Sequence, residues 1–292
     1  MVSVIIPNYN HAPFLQQRID SVLNQTWQDF EIIILDDCST DASSEIIESY
    51  RNHPRISTIV YNPSNTGVAF KQWQKGIELS KGDWIWIAES DDWCEPVFLE
   101  TLLNGITNNT AIAVAQSVVV SSKGEILWQT YAAYLEKTIT GNAFINDKML
   151  LDNFGIPNAS MCIFKKSLYY NIDDEFSGYQ FCGDMLFWIL LALQGDVFVS
   201  GKYLNYFRKH DKDVSGAAYK NGLHYFEYFK LLKTLVNRKI ITSMEYQALL
   251  SGKLKMFLRD KRPDLTVMRE VRNEFRLHVE SNFYSTIARY TT

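Results

Sequence analysis

The chain has 292 residues, of which 47% are hydrophobic and 21% charged, and its formal net charge is −4. This length and composition allow a substantial core, and they exclude an intrinsically disordered chain. Apolar runs such as residues 186–193 are far too short to cross a lipid bilayer. We expect no nucleic-acid partner for a chain of this charge.

The four cysteines, Cys38, Cys94, Cys162 and Cys182, are widely spaced and form no CxxC or zinc-binding pattern. Unpaired thiols in this arrangement are typical of a reducing compartment. Met1 leads directly into an apolar stretch, so we expect no signal peptide. These features together predict a cytoplasmic location.

The N-terminal third of the chain alternates between short apolar runs and segments with apolar residues at helical spacing. The apolar runs predict four strands, at residues 2–6, 30–35, 56–60 and 84–88. The other segments predict helices over residues 13–23, after the capping residues 39–41, and over 68–79 and 96–106. Pro7 is expected to end the first strand, because it lacks a backbone N–H group. The alternating order predicts an α/β fold with a mostly parallel central sheet between two layers of helices.

The middle of the chain is less regular. Further strands are predicted at residues 111–120, 125–128, 158–164, 197–199 and 203–207. Residues 130–157 show no clear periodicity. A buried helix is predicted over residues 183–193, since its side chains are apolar almost all round.

The pattern changes near residue 217, where aromatic and basic residues become frequent. Three final helices are predicted, over residues 217–236, 243–258 and 266–282. We therefore expect a helical C-terminal extension over 217–292. The preceding α/β domain would cover 1–216, in two halves over 1–107 and 108–216.

An acidic cluster follows the fourth predicted strand directly. Glu89, Asp91 and Asp92 lie within four residues of one another, after the apolar run that begins at Trp84. They would sit at the carboxyl end of a core strand, where open α/β sheets bind ligands. Carboxylates this close repel one another, and their oxygens suit Mg²⁺ or Mn²⁺, metals that often hold substrate phosphates. The alternative is an acidic surface turn.

Four separated segments occur in a characteristic order: residues 4–10 (VIIPNYN), 35–41 (LDDCSTD), 65–67 (NTG) and 89–92 (ESDD). In this order they resemble family 2 glycosyltransferases with the GT-A fold. The resemblance implies a metal-dependent, inverting transfer of a sugar from a UDP-, GDP- or dTDP-sugar, with Mn²⁺ or Mg²⁺ as cofactor. It implies a hydroxyl of a glycan or lipid-linked saccharide as acceptor, and a role in cell-surface polysaccharide synthesis.

The resemblance also implies roles for individual residues. The predicted nucleotide-sugar contacts are Pro7, Tyr9, Asn10, Asp36, Asp37, Asn65, Gly67, Lys71, Glu89, Ser90, Asp91 and Arg208. The predicted metal ligands are Asp91, Asp92 and His210, and Glu89 stands where the family more often has Asp. We expect one of Asp36 and Asp37 to contact the base and the other to cap the following helix, with Asp36 favoured for the base.

A separate carboxylate is needed as the base, because the acceptor hydroxyl must lose its proton as it attacks the sugar. The family places this aspartate before a buried helix, and residues 182–188 (CGDMLFW) fit that pattern. Asp184 is therefore the predicted catalytic residue. It could also cap the helix, and the two roles are compatible. Residues 209–216 are polar and end in Gly, as expected of a lid.

Two other functions compete with this interpretation. A non-catalytic protein could bind a nucleotide-sugar with the same residues. A sugar-nucleotide pyrophosphorylase shares the sheet type, but it should open with a Gly-rich loop containing Arg, which residues 7–10 do not supply.

The C-terminal residues are basic, with 14 Lys and Arg against 7 Asp and Glu over 217–292. One interpretation is a solvated face, a buttress for the acceptor side or a homodimer surface. The other is peripheral contact with anionic lipid at the inner face of the membrane. The residues for that contact would be Lys253, Lys255, Arg259, Lys261 and Arg262.

Overall fold

The computed structural model describes residues 1–133, 135–150, 155–210, 218–260 and 263–278. The chain divides into two compact units. The first consists of Met1–Gly178 and Phe187–His210, and the second of Tyr179–Leu186 and Asp211–Thr292. The predicted domain boundary after residue 216 falls outside the described residues and stays a prediction.

The first unit is built on a central sheet, which contains ten strands among the described residues. These are β1 Val2–Asn8, β2 Phe30–Asp36, β3 Ile56–Tyr61, β4 Trp84–Ile87, β5 Trp93–Cys94, β6 Thr110–Ser121, β7 Ile126–Gln129, β8 Glu136–Thr140, β9 Cys162–Lys165 and β10 Asp196–Lys209. Their order across the sheet is β3-β2-β1-β4-β9-β6-β10-β5, with β7 paired to β6 and β8 paired to β10.

The predicted α/β fold is confirmed, but the sheet is mixed rather than mostly parallel. Strands β1 to β4 pair in parallel, as the alternating pattern predicted. Strand β9 then runs antiparallel to both β4 and β6, and β7, β8 and β5 add further antiparallel pairs. Strands β6 and β7 were predicted, whereas β5 and β8 were not. Strand β5 has only two residues, and β8 lies in the stretch 130–157, which shows no clear periodicity.

Helices flank this sheet and build its core. Within the described residues they are α1 Ala12–Leu23, α2 Ser43–Ser49, α3 Ala69–Leu79, α4 Phe98–Asn104, α5 Gly141–Phe144, α6 Lys166–Tyr169 and α7 Gly183–Ala192. The spacing of Leu15, Ile19 and Val22 puts all three on one face of α1, and all are fully buried. Trp86 of β4 stacks on Phe98 of α4 with ring centroids 4.5 Å apart. Each such side chain contributes about 1.5–3 kcal/mol on burial.

The prediction that Pro7 ends the first strand was wrong, because β1 continues to Asn8. The carbonyl of Ile5 accepts from Ala88 on the β4 side, and the carbonyl of Asn8 accepts from Asp37 on the β2 side. Alternation along the strand therefore turns Pro7 toward β4, beyond the last paired residues of that strand. Its missing N–H group costs the sheet no hydrogen bond there.

Strand β10 also differs from expectation, since it is one long strand rather than two short ones. Two of the three register irregularities against β6 lie between Val199 and Asn205, the stretch that the sequence pattern suggested was a break. The consequence is functional, because this strand runs on to Lys209 and so ends beside the turn after β4.

The C-terminal part of the second unit contains three long helices among its described residues, α8 Leu223–Asn237, α9 Ser243–Phe257 and α10 Leu265–His278. Gly222 has φ +74° and separates α8 from residues 218–220, so the single helix predicted over 217–236 was wrong. Phe275 packs against Phe229 and Phe257, with ring centroids 4.7 and 5.3 Å apart. Residues 279–282 of the last predicted helix lie outside the described residues.

The basic residues of the helical unit are not all equally available to a partner. Lys255 and Arg259 are exposed, whereas the ammonium group of Lys253 lies over the Tyr228 ring, 4.6 Å from its centroid. Lys261 and Arg262 lie outside the described residues. The predicted membrane contact and homodimer therefore stay predictions. In the described part of the chain, no helix is long and apolar enough to cross a membrane.

Candidate functional site

The site of the first unit forms where the carboxyl ends of β1 and β4 meet the end of β10. The turn after β4 carries Asp91 and Asp92, the loop after β1 carries His11, and β10 leads into Arg208 and His210. Parallel neighbours end at the same edge of a sheet, which explains why the first two loops meet. Strand β10 supplies the residues that come from far along the chain.

Three of these side chains form a cluster that could hold a metal ion. His11, Asp91 and His210 each offer one ligand atom, and these atoms lie within 4.8 Å of one another. His210 Nε2 lies 3.0 Å from Asp91 Oδ2, and His11 Nδ1 lies 2.8 Å from Ser90 Oγ. All three ligand residues are half-buried, so the cluster is partly shielded from water and still accessible.

The cluster favours the ionised form of the Asp91 carboxylate, which is the form that binds a cation. Burial alone would raise the pKa of Asp91, but the hydrogen bond from His210 and the charges of His11 and His210 outweigh it and lower the pKa below its ordinary value. An ionised carboxylate flanked by two imidazoles is a fitting donor set for a divalent transition metal. Mg²⁺ is usually held by oxygen ligands, so two imidazoles make this donor set less suited to Mg²⁺ than to a transition metal.

Asp92 faces the opposite way, into the interior. Its carboxylate accepts from the Arg208 backbone N–H and from Asn158 Nδ2, both at 2.9 Å. Arg18 Nη2 lies 3.8 Å away, and the side chains of Arg18 and Asp92 are both fully buried. Asp92 is absent from the metal cluster found among the described residues, so this geometry favours a structural role for it.

Arg208 is held by protein groups rather than directed into open space. Its Nε donates to the carbonyl of Asp91 at 2.8 Å, and its Nη2 donates to Gln17 Oε1 at 2.7 Å. The guanidinium carbon lies 4.5 Å from the ring centroids of both Phe14 and Trp93, so it is sandwiched between two aromatic faces. The predicted contact of Arg208 with the diphosphate stays a prediction. Its observed contacts instead stabilise the turn that carries Asp91.

Trp93 follows the acidic cluster directly and packs against the Arg208 guanidinium group. Its ring lies parallel to the Tyr206 ring, with centroids 4.7 Å apart. With Arg208 on Trp93 as well, the observed partners of this ring are protein groups.

Glu89, the first carboxylate of the turn, lies in an unusual environment. Burial, and then the charges of Asp91 and Asp92, raise the pKa of Glu89 to about 8. Trp73 of α3 donates its indole N–H to Glu89 Oε1 at 3.0 Å, and the buried Arg18 donates to the Glu89 carbonyl at 2.9 Å. This environment favours the protonated form of Glu89, and its side chain lies outside the metal cluster.

Asp36 organises the loop after β1. Asn8 Nδ2 donates to Asp36 Oδ1 at 2.8 Å, and the Ser39 N–H donates to Asp36 Oδ2 at 2.9 Å. Asn10 has φ 55° and is fixed from the same side, since its N–H donates to Ser39 Oγ at 2.9 Å. Pro7 is buried at the end of β1, whereas Tyr9 is 44% exposed and available to stack on a base.

Asp37 holds the loop before α3 and does not cap α2, as the sequence suggested it would. Its carboxylate accepts from Asn62 Nδ2, from the Thr66 N–H and hydroxyl, and from Gln72 Nε2 at distances of 2.7–3.1 Å. Helix α2 begins after Ala42, with no side-chain capping hydrogen bond. Asp37 thereby fixes the loop that contains Asn65 and Gly67.

The loop residues themselves are exposed. Asn65 Oδ1 accepts from the Gly67 N–H at 2.6 Å, and Gly67 has φ +70°, a conformation that disfavours other residues. Lys71 is exposed on the first turn of α3. The structure thus places all three on the surface, and their predicted contacts with a donor stay predictions.

Asp184 belongs to the second unit, at the start of α7. The Met185 N–H donates to Asp184 Oδ1 at 2.7 Å, which is a helix N-terminal contact. Burial first, and then the charge of Glu227, raise the pKa of Asp184 to about 6, although backbone hydrogen bonds oppose the shift. A carboxyl with such a pKa is suited to accept a proton near neutral pH.

Two parts of the site were missed in the sequence. His11 follows the VIIPNYN segment directly, but nothing in its spacing marks it as a metal-facing residue. The second part is Asn158 and Ser160, which support the acidic turn: Asn158 donates to Asp92, and Ser160 Oγ accepts from the Glu89 N–H at 2.9 Å.

The chain belongs to glycosyl transferase family 2, whose family model matches residues 3–173. An uncharacterised glycosyltransferase of Haemophilus influenzae is 38% identical over 109 residues, which cover 37% of this chain and 43% of that protein. The chondroitin synthase of Pasteurella multocida is 36% identical over 114 residues, which cover 39% of this chain and 12% of that protein. The chain thus spans less than half the length of these curated relatives.

Solved structures show the same fold. S. aureus TarS 1-349 in complex with UDP-GlcNAc superposes with a TM-score of 0.73 at 18% identity, over 97% of this chain and 82% of that one. The predicted GT-A fold is confirmed by this likeness.

Proposed function

We propose that this protein is a metal-dependent glycosyltransferase. It moves a sugar from a nucleotide-sugar to a hydroxyl of a glycan or lipid-linked acceptor, with inversion, in the synthesis of a cell-surface polysaccharide. The observation that carries the proposal is the His11–Asp91–His210 cluster at the end of β4, in a chain of glycosyl transferase family 2. A polysaccharide product is supported by the chondroitin synthase relative.

His11, Asp91 and His210 would hold the metal, and we favour Mn²⁺ over Mg²⁺ because two of the three ligands are imidazoles. When bound, such a cation offsets the charge that develops on a nucleoside diphosphate leaving group. Ser90 orients His11, and Asp92 with Arg208 fixes the turn that carries Asp91. Asp36, Asp37 and Tyr9 would form the nucleotide pocket, with Tyr9 exposed for stacking on the base.

Asp184 is proposed as the base that takes the proton of the acceptor hydroxyl. Its raised pKa leaves it ionised above about pH 6 and still basic enough to accept a proton. The donor nucleotide is proposed to be UDP, since the structurally similar TarS is seen with UDP-GlcNAc.

Thermal melting with UDP, GDP and dTDP, each with Mn²⁺, Mg²⁺ or EDTA, tests the nucleotide and the metal together. We expect UDP to raise Tm only when a divalent cation is present, and Mn²⁺ to act at lower concentration than Mg²⁺. If none of the three nucleotides shifts Tm with either metal, the transferase proposal fails.

A further inference from the structure

The segment that precedes Asp184 is anchored by one side chain of the helical unit. Glu227, on α8, accepts hydrogen bonds from three consecutive backbone N–H groups. Oε1 accepts from Gln180 at 2.7 Å, and Oε2 accepts from Phe181 at 2.7 Å and from Cys182 at 2.8 Å. The Glu227 side chain is 8% exposed, so water competes little for these bonds.

The bonds to Glu227 satisfy backbone N–H groups at the start of a helix. Helix α7 begins at Gly183, and N–H groups at and before a helix start have no partner within the helix. A carboxylate satisfies all three at once, and its charge is favourable at the positive end of the helix dipole. Hydrogen bonds to a charged group are stronger than those between neutral groups, so this segment is held firmly.

Asp184 lies two residues beyond this anchor and is fixed on its other side as well. The Met185 N–H donates to its carboxylate, and the Leu186 N–H donates to the Cys182 carbonyl at 3.3 Å. The backbone on either side of Asp184 is therefore held, by Glu227 before it and by the first turn of α7 after it.

We propose that Glu227 is a positioning residue, which sets the orientation of the Asp184 carboxylate through the backbone of residues 180–182. The inference rests on the proposed function, in which Asp184 is the base. It gives the C-terminal helices a part in catalysis, since α8 supplies the group that fixes the base segment. The membrane and dimer roles predicted for these helices are separate from this one.

The test compares Glu227→Gln and Glu227→Asp with Glu270→Gln, a matched charge removal at an exposed position on α10. Gln keeps the shape but presents an N–H group to backbone donors, so one or more of the three bonds is lost. Hydrogen exchange of the peptide that covers residues 180–182 measures directly how well their three N–H groups are protected by the bonds to Glu227. The rate of UDP release from UDP-GlcNAc with Mn²⁺ reads its effect on the reaction.

We expect Glu227→Gln to speed exchange in this peptide and to lower kcat by on the order of tenfold to a hundredfold, as misplaced groups do. KM for UDP-GlcNAc should stay within about twofold, because the donor site lies on other elements. Glu227→Asp should restore part of both readouts, and Glu270→Gln should change neither. Unchanged exchange and kcat in Glu227→Gln would overturn the proposal, as would an equal loss of kcat in both glutamine variants.

If Glu227→Gln does not fold, the test uses Glu227→Asp, which keeps the negative charge. In that variant faster exchange with reduced kcat supports the proposal, and faster exchange with full kcat overturns it. Asp184→Asn separates this inference from the proposed function. If Asp184→Asn retains transfer, the proposed base is wrong, and the anchoring role of Glu227 is decided by exchange alone.

Discussion

His210 Nε2 lies 3.0 Å from Asp91 Oδ2, although 119 residues separate them in the chain. The contact depends on β10, which pairs in parallel with β6 and delivers its last residues to the turn after β4. With His11 it turns a cluster of carboxylates into a mixed nitrogen and oxygen site.

The neighbouring aspartates Asp91 and Asp92 should behave as opposites when each is changed to Asn. Asp92→Asn leaves the buried Arg18 guanidinium without its counter-ion, and breaking a buried pair in this way costs about 3–5 kcal/mol. Asp91→Asn should leave Tm within a few degrees of wild type but abolish the Mn²⁺-dependent shift with nucleotide. Melting curves with and without Mn²⁺ distinguish the two. Loss of the Mn²⁺ effect in a well-folded Asp92→Asn variant would instead make Asp92 a ligand.

His11 should determine which metal the site prefers. His11→Gln removes one imidazole, so Mn²⁺ affinity should fall while Mg²⁺ affinity changes little. Ser90→Ala removes the partner of His11 Nδ1, and loss of such an orienting contact should weaken Mn²⁺ binding by about tenfold or more. The Mn²⁺ affinities of both variants are measured by titration, with electron paramagnetic resonance reporting the free Mn²⁺. Equal Mn²⁺ affinity in His11→Gln and wild type would remove His11 from the metal site.

Asp37 should control the loop over residues 62–67. Asp37→Asn replaces an acceptor of four donors with a group that itself donates, so the Thr66 and Gln72 contacts weaken. We expect faster proteolysis within this loop and a loss of about 1.5–3 kcal/mol of stability, as for a hydrogen bond to a buried charge. Limited proteolysis of wild type and variant checks this, with Glu45→Gln on α2 as a surface control. Cleavage at the wild-type rate would contradict the loop-holding role.

Asp184→Asn should abolish transfer and stabilise the protein above pH 6. The folded pKa, about 6, exceeds the ordinary aspartate value of 3.8, so the folded state binds the proton more tightly than the unfolded chain. Ionisation therefore costs the folded state stability between these pH values, and the whole cost is present above pH 6. Removing it should raise Tm at pH 8 by about 2–4 °C, on the order of 1 kcal/mol.

The pH dependence gives this prediction its control. At pH 3.5 the carboxyl is largely protonated in both states, so wild type and Asp184→Asn should melt together. The prediction is wrong if Asp184→Asn is less stable than wild type at pH 8. It is also wrong if the variant exceeds wild type in stability by the same amount at both pH values, because ionisation of Asp184 would then not destabilise the folded state.

The sequence predicted the elements that carry the site better than the directions of its side chains. The apolar run of β4 and the carboxylates after it are local features, and both lie where they were predicted. That Asp91 turns outward and Asp92 inward depends on Arg18 and Asn158, which come from distant segments. Periodicity could not reveal these partners, because they are set by tertiary packing.

Tertiary packing also explains why the sequence did not predict the contacts of Arg208 and His11. Arg208 was expected to meet a diphosphate, but Phe14 and Trp93 converge on it only once α1 and β5 are in place. His11 reaches Ser90 because β1 and β4 are paired, a contact across 79 residues that one sequence does not encode in its spacing.

The most direct test of the metal-dependent transferase is nucleotide release from a panel of UDP-, GDP- and dTDP-sugars with Mn²⁺, measured for wild type and Asp91→Asn. We predict release from one nucleotide class, abolished by EDTA and by Asp91→Asn, which removes the carboxylate of the metal cluster. Release that continues undiminished with EDTA and in Asp91→Asn, or no release from any sugar in the panel, would contradict the proposed function.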